Sequence, residues 1–303
     1  MENMTRWMNC EFIDSDGLKQ KEKVFFVDRS ITSGVGTVYR LNGFVASGGN
    51  GSVFICYHGQ SNEKLAVKLL RVIDAIRRER FDFESILLAD LEHTNILALR
   101  DAGSVEMTHR YPIPFIITDF FETNVEREVN AGRLFSIAEI KVFGKQICEA
   151  FQYLHTQGII HRDIKPGNFL IKSSRSGATD QSNLIVVSDF GLAKTYTEEG
   201  KKRFWRGDIT TDDERVGSIP WMSPELFKYA SDKTATVDSR SDILSIGRVL
   251  WYMHTGDIVG DMDRDDDQSG GHLFDLVKKA VQKKPEKRFQ TAEELGTALV
   301  EMC

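Results

Sequence analysis

From Tyr39 to Arg71 the apolar residues come in short runs broken by glycine and charge, and these runs predict strands. YRLNGFVASGGNGSVFICYHG reads as two strands joined by a Gly-rich turn, and EKLAVKLLR as a third. RRERFDFESILLADLEH has helical periodicity with one polar side, and PFIITDFFE reads as a buried strand leaving into a connector. The longest helical pattern, FSIAEIKVFGKQICEAFQYLHTQG, stops at Gly158. Two short apolar strands then bracket a polar loop in IIHRDIKPGNFLI, and LIVVSDFGLAK resumes after a polar insert. That insert, KSSRSGATDQSN, has no apolar anchor and predicts an exposed loop offering Ser173, Ser174 and Ser176 as modification sites. Before Tyr39 the pattern is weak. CEFIDSDGLKQKEKVFFV suits either a hairpin about a Ser-Asp-Gly turn or a flexible tail.

At 303 residues the chain is long enough for one two-lobed domain or two small ones. Its 41% hydrophobic and 28% charged residues are those of an ordinary soluble globular protein, and a net charge of -6 argues against a nucleic-acid partner. Cys10, Cys56, Cys148 and Cys303 are scattered without a C-x-x-C pair, which predicts free thiols in a reducing compartment rather than a disulfide framework or zinc site. The first thirty residues carry Glu2, Arg6, Glu11, Asp14 and Asp16 and no apolar core, so no secretory signal is visible. No run approaches the roughly 18 apolar residues of a membrane span. The expectation is a cytoplasmic protein with no membrane span.

The stretch from His161 to Gly191 carries the chemistry. Asp163 is placed to accept a proton from a hydroxyl nucleophile, and Lys165 can neutralise charge on a phosphoryl group in transfer. Asn168 and Asp189 offer the hard oxygen ligands that Mg²⁺ prefers. His161-Arg162-Asp163-x-Lys165-x-x-Asn168 followed by Asp189-Phe190-Gly191 resembles the catalytic-loop and metal-loop pair of the protein kinases.

The resemblance runs from about residue 39 to the end. It implies an α+β fold of two lobes: a small β-rich N-lobe with one main helix at 39–118, a hinge at 119–124, and a larger α-helical C-lobe at 125–303. Residues 1–38 then form an N-terminal extension. The turn Ala46-Ser47-Gly48-Gly49-Asn50-Gly51-Ser52-Val53 matches the family's Gly-rich loop at its second and third glycines, with Ala46 in place of the first. Glycine lets backbone amides approach phosphates closely. Ala66-Val67-Lys68 resembles the family's strand lysine, which contacts the α/β-phosphates of ATP. Glu79 and Glu84 both suit its glutamate partner. Glu84 is expected, because it precedes His93 by the family's usual spacing, and Glu79 is then a solvated charge. Thr118 is implied at the back of the adenine pocket, with Asp119 and Phe121 bonding adenine through their backbones and Leu170 also lining the ATP site.

Gly217 through Glu225 resembles the family's segment ending in A-P-E, with Ser223 in place of alanine. Asp242 through Gly247 resembles D-x-W-S-x-G, with Leu244 in place of tryptophan. Arg288 is the implied ion-pair partner of Glu225. Lys165-Pro166 and Ser218 resemble Ser/Thr kinases, whereas Trp221-Met222 occurs in tyrosine kinases too, so dual specificity or tyrosine specificity is the alternative. A non-catalytic nucleotide-binding scaffold is a second alternative, and a small-molecule kinase a third. Retention of Lys68, Asp163, Asn168 and Asp189 opposes the scaffold. The implied activity is transfer of the γ-phosphate of ATP, with Mg²⁺, to protein Ser/Thr hydroxyls.

Arg162 before Asp163 implies control by a phosphate on the activation segment, with Thr195, Tyr196, Thr197, Thr210 and Thr211 as candidate acceptors and Thr210 or Thr211 preferred. Self-association for trans-autophosphorylation would follow. Asp261 through Asp267 starts like a calcium loop but lacks the required glycine and final acidic residue, so a solvated acidic loop is expected.

Overall fold

The computed structural model describes residues 7–13, 19–25, 30–48, 51–105, 112–172, 183–195, 219–232, 236–258, 262–267 and 269–302. The chain divides into two compact units, one of Met1–Leu91 with Leu97–Phe120 and one of Glu92–Ile96 with Phe121–Cys303.

The first unit is built on a six-stranded sheet of order β3-β4-β5-β6-β9-β8 with one helix and a smaller three-stranded sheet. The strands of the larger sheet are β3 (Ser30–Thr32), β4 (Val38–Ser47), β5 (Gly51–His58), β6 (Lys64–Leu70), β8 (Leu99–Val105) and β9 (Ile113–Asp119), and every pairing among them is antiparallel. Alternation gives the sheet two faces. Phe54, Cys56, Val67, Leu69 and Ile117 point to one of them and are buried there as core. Helix α1 (Ala75–Asp90) follows the two-residue strand β7 (Val72–Ile73). Asp74 caps it by accepting the Arg77 amide at 2.8 Å. The weakly patterned beginning of the chain forms a hairpin, β1 (Trp7–Ile13) with β2 (Lys19–Phe25), and β1 also pairs in parallel with β7.

The second unit is mainly helical. Helix α3 (Ile137–Thr156) starts at a capping box in which Ser136 and Glu139 satisfy each other's amides. Gly158, with φ of 73°, then turns the chain into β11 (Ile159–Ile160). Helix α3 packs against α5 (Arg240–Thr255) and α7 (Ala292–Glu301) so closely that a Cβ on Gly144 would lie 2.8 Å from Leu299 Cδ1. Smaller elements complete the unit: β10 (Thr123–Asn124), α2 (Val125–Asn130), β12 (Phe169–Lys172), β13 (Leu184–Val187), β14 (Lys194–Thr195), α4 (Pro224–Ser231) and α6 (His272–Ala280). Glu92–Ile96 belongs here rather than with helix α1 before it and strand β8 after it. Asn95 donates to Gln146 Oε1 and to the Ile185 carbonyl, both at 2.8 Å, which ties the segment to α3 and β13.

The acidic stretch near residue 265 is not wholly solvated. Asp263, Asp265 and Asp266 are exposed, but Asp267 is buried. Its carboxylate accepts the Ser269 and Phe274 amides at 2.8 and 2.7 Å, so it serves as the connector into α6. Among the described residues no helix is long and apolar enough to cross a membrane.

Candidate active site

In the first unit the β-ladder register gathers the sequence-predicted nucleotide residues onto one face. Ala46 stands opposite Val53, Val53 opposite Lys68, and Ala66 opposite Thr118. Cross-strand partners share a face, and so do residues two apart, so these five side chains lie together on the face away from Val67. Lys68 donates to both Glu84 carboxylate oxygens, at 2.8 and 2.7 Å. Glu84 is buried and Glu79 exposed, which decides between the two glutamates by helical phase. The Asp119 carboxylate is held by Arg100 at 2.7 Å, leaving its backbone in the position at which β9 ends. Gly48 N–H closes the Gly-rich turn onto the Gly51 carbonyl at 2.9 Å. Gly49 and Asn50 lie outside the described residues. A Cβ on Gly51 would meet the Leu69 carbonyl at 3.0 Å and Lys68 Cγ at 3.4 Å. Gly51→Ala is therefore expected to push the turn away from β6 and raise the KM for ATP by about fivefold, read from initial rates, with little change in melting temperature.

In the second unit β11, β12 and β13 frame the catalytic loop. The Asp163 carboxylate accepts Lys165 Nζ at 2.6 Å. Burial alone would lower the pKa of Lys165, but the Asp163 and Asp189 carboxylates outweigh it and hold the ammonium above the ordinary lysine range. Asn168 donates its amide to the Asp163 carbonyl at 2.7 Å and to Asp163 Oδ2 at 3.4 Å. That choice of donor leaves Asn168 Oδ1 as an acceptor, and with the Asp189 carboxylate it supplies hard oxygens of the type that Mg²⁺ takes. The residues therefore fit a Mg²⁺ ion. The Asn168 carbonyl in turn accepts the Ser188 amide at 2.9 Å and hydroxyl at 3.0 Å, which couples the loop to the residue before Asp189.

Two residues of this region hold left-handed backbone without being glycine: Arg162 at φ 68° and Asp189 at φ 64°. Such conformations cost about 1–3 kcal/mol each and persist where surrounding bonds impose them. Asp242 supplies those bonds at Arg162. Its carboxylate is 1% exposed and accepts the His161 amide at 2.9 Å, the Arg162 amide at 3.1 Å and His155 Nε2 at 3.0 Å. His161 Nδ1 accepts the Asp163 amide at 3.3 Å, so its proton sits on Nε2 and points to the Ser188 carbonyl at 3.1 Å. Phe190 is fully buried, with its ring centroid 5.0 Å from that of His161. Leu170 is half-buried in β12, opposite Val186 of β13 and Asn124 of β10, and Phe121 is half-buried.

Glu225 and Arg288 form a forked ion pair at 2.5 and 2.9 Å, and Arg288 also donates to the carbonyls of Arg240, Gln282 and Lys283. The two departures from the family pattern in this unit, Ser223 and Leu244, are accommodated. Ser223 caps α4 by accepting the Leu226 amide at 3.2 Å and bonds Ser241 at 2.6 Å, and Leu244 is simply core.

Of the candidate phosphate acceptors, Thr195 alone lies among the described residues. It is 1% exposed and paired with Ile159 in the β11–β14 ladder. Tyr196, Thr197, Thr210, Thr211 and Ser218 lie outside the described residues. Arg162 stands with its guanidinium 5.0 Å from the Tyr229 ring centre, and Lys194 meets the Tyr229 hydroxyl at 2.8 Å.

Sequence reasoning missed Arg248. Its Nη1 donates to the Pro220 and Met222 carbonyls, both at 2.8 Å, and so braces the segment before α4. The available signal was a lone charge within the apolar run ILSIGRVLWYM.

The protein kinase domain family model matches residues 39–303. Among curated relatives, the serine/threonine-protein kinase PknB of Mycobacterium tuberculosis is 31% identical over 286 residues, covering 86% of this chain and 42% of that protein. PknB of Mycobacterium leprae is 30% identical over the same length. The serine/threonine-protein kinase PknJ of Mycobacterium bovis is 29% identical over 224 residues, covering 72% of this chain and 34% of the relative. The chain thus spans less than half the length of the curated relatives it matches.

Proposed function

This chain belongs to the protein kinase domain family, and from that premise we propose that it transfers the γ-phosphate of ATP to serine and threonine hydroxyls of proteins. The family implies use of ATP; the assignment of roles to particular residues is our reading. What carries it is the Asp163 carboxylate, held at 2.6 Å by Lys165 and seated on the Asn168 amide.

Asp163 accepts the proton of the attacking hydroxyl. The hydroxyl oxygen bonds to the γ-phosphorus as the bond to the β–γ bridging oxygen breaks, and ADP leaves. Lys165 offsets charge on the phosphoryl group while it is between the two oxygens. Lys68, kept in place by Glu84, contacts the α/β-phosphates, and the Gly48 to Gly51 turn covers them. The family resemblance assigns adenine-lining roles to Ala46, Val53, Ala66 and Thr118 of the first unit and to Leu170 of the second, and adenine hydrogen bonding to the Asp119 and Phe121 backbones. Asn168 and Asp189 would hold Mg²⁺, which when bound offsets the negative charge of the phosphates. Asp242 acts on the backbone of His161 and Arg162 rather than on substrate. Serine/threonine specificity is supported by Lys165-Pro166 and by the names of the relatives. Arg162 and a phosphate on the activation segment, at Thr210 or Thr211 and placed there by a second copy, make up the regulatory part of the proposal.

The test is transfer of label from γ-labelled ATP with Mg²⁺ to a generic basic protein, with phosphosites mapped by mass spectrometry. Label on serine and threonine is the expected result. Label on tyrosine would overturn the specificity. Bound ATP without any transfer, before and after treatment with an active kinase, would favour a nucleotide-binding scaffold.

A further inference from the structure

Residues 7–13 and 19–25 lie outside the family match, yet their backbone is built into the first unit. Strand β1 runs parallel to β7, with Glu11 opposite Val72 and Phe12 opposite Ile73. The Glu11 amide donates to the Arg71 carbonyl at 2.9 Å. The Glu11 carboxylate takes Arg71 Nη1 at 3.3 Å and Lys21 Nζ at 3.5 Å. Cys10, beside it, is fully buried.

The place of this contact gives it meaning. β7 is the link between β6, which carries Lys68, and α1, which carries Glu84. Its sheet has the order β2-β1-β7, so among the described residues β1 is the strand partner that β7 has. Asp74 follows β7 directly and caps α1. The buried residues of α1 begin at Arg80, so no buried side chain anchors its opening turn. From Asp74 to Glu84 a helix rises about 15 Å, and a tilt of about 10° at its start would carry Glu84 about 2.6 Å sideways. That is enough to break an ion pair of 2.7 Å.

We propose that β1, through Glu11, is a positioning element that fixes the start of α1 so that Glu84 meets Lys68. The kinetic consequence rests on the kinase reading given above, whereas the clamp itself does not. A hairpin outside the catalytic fold would then set the ATP-binding competence of the fold.

The experiment compares the full chain with Glu11→Pro, which removes the amide that Arg71 accepts and the carboxylate together. Hydrogen exchange of residues 75–84 and separate KM values for ATP and for a protein acceptor are measured, with Mg·ATP affinity by calorimetry. Expected are exchange at least about tenfold faster in that segment and an ATP KM and Kd raised about tenfold, with the acceptor KM unchanged. Glu11→Arg should weaken ATP use in the same direction, and combining it with Arg71→Glu should restore it to within about twofold. The double exchange decides the matter should the proline variant fail to fold. Unchanged exchange in α1, or faster exchange with unchanged ATP binding, would overturn the proposal. So would a double exchange that recovers nothing. If the wild-type chain binds ATP but transfers no phosphate, the kinase reading fails alone, and exchange and ATP affinity still decide the clamp.

Discussion

Asp163→Asn is expected to lower kcat about a thousandfold while leaving the KM for ATP within about twofold. Asparagine has the same shape and can still accept Lys165 through its amide oxygen, so the 2.6 Å contact and the bond from Asn168 lose little geometry. The lost property is the ability to take a proton. Asp163 is buried, and asparagine keeps its contacts with Lys165 and Asn168 inside the second unit. Single-turnover transfer and calorimetric ATP binding on the same preparation separate these effects. A variant that kept its kcat and lost ATP affinity would make Asp163 a binding residue and remove the base from the mechanism.

The second large effect concerns stability. Arg288→Ala is expected to destabilise the second unit by about 3–5 kcal/mol, the range for breaking a buried ion pair by removing one partner. Arg288 is the more demanding half. Its side chain is 0% exposed, and besides the fork on Glu225 it satisfies the carbonyls of Arg240, Gln282 and Lys283. Truncation leaves Glu225, whose side chain is 15% exposed, without its cation and several carbonyls without donors. At about 2–4 °C per kcal/mol for a unit of this size, the melting temperature should fall by about 10 °C in a thermal scan. Arg288→Lys should recover only part of it, because an ammonium cannot make the planar fork. A fall below about 2 °C in the alanine variant would show that the carbonyls and Glu225 find other partners. Activity of the folded fraction should be lowered far less than by Asp163→Asn, since Arg288 touches the platform and not the reacting atoms.

Most of the candidate site was legible because its parts are local. His161 to Asn168 and Asp189 to Gly191 are short runs in which chemistry and spacing coincide. Lys68 stood out by the strand that bears it. Choosing Glu84 over Glu79 needed only helical phase, which the burial of one and exposure of the other reflects. The expected strand at residues 114–122 and helix at 135–158 correspond to β9 and α3, where long apolar runs leave little ambiguity of type.

The residues that escaped reading act through non-local contacts. Arg248 looks like an ordinary charge until α5 lies beside Pro220 and Met222, and Asp267 like one more solvated aspartate until it meets the Phe274 amide. Thr195 looked like an accessible hydroxyl because nothing near it in sequence reveals that Ile159 will cover its backbone edge. Residues 10–27 were equally readable as hairpin or tail, since a strand of mixed polarity acquires its value from the edge it joins, and the edge that β1 joins is β7, some sixty residues away. By itself, then, the order of residues determined the family, the catalytic loop and the alternation that puts Ala66, Lys68 and Thr118 on one face. Only the tertiary structure decided which backbone groups Asp242 holds, which carbonyls Arg248 and Arg288 satisfy, and which strand secures the start of α1. Periodicity and loop chemistry are properties of neighbours in the chain, whereas the partners of a buried charge or a sheet edge exist only once distant segments have met.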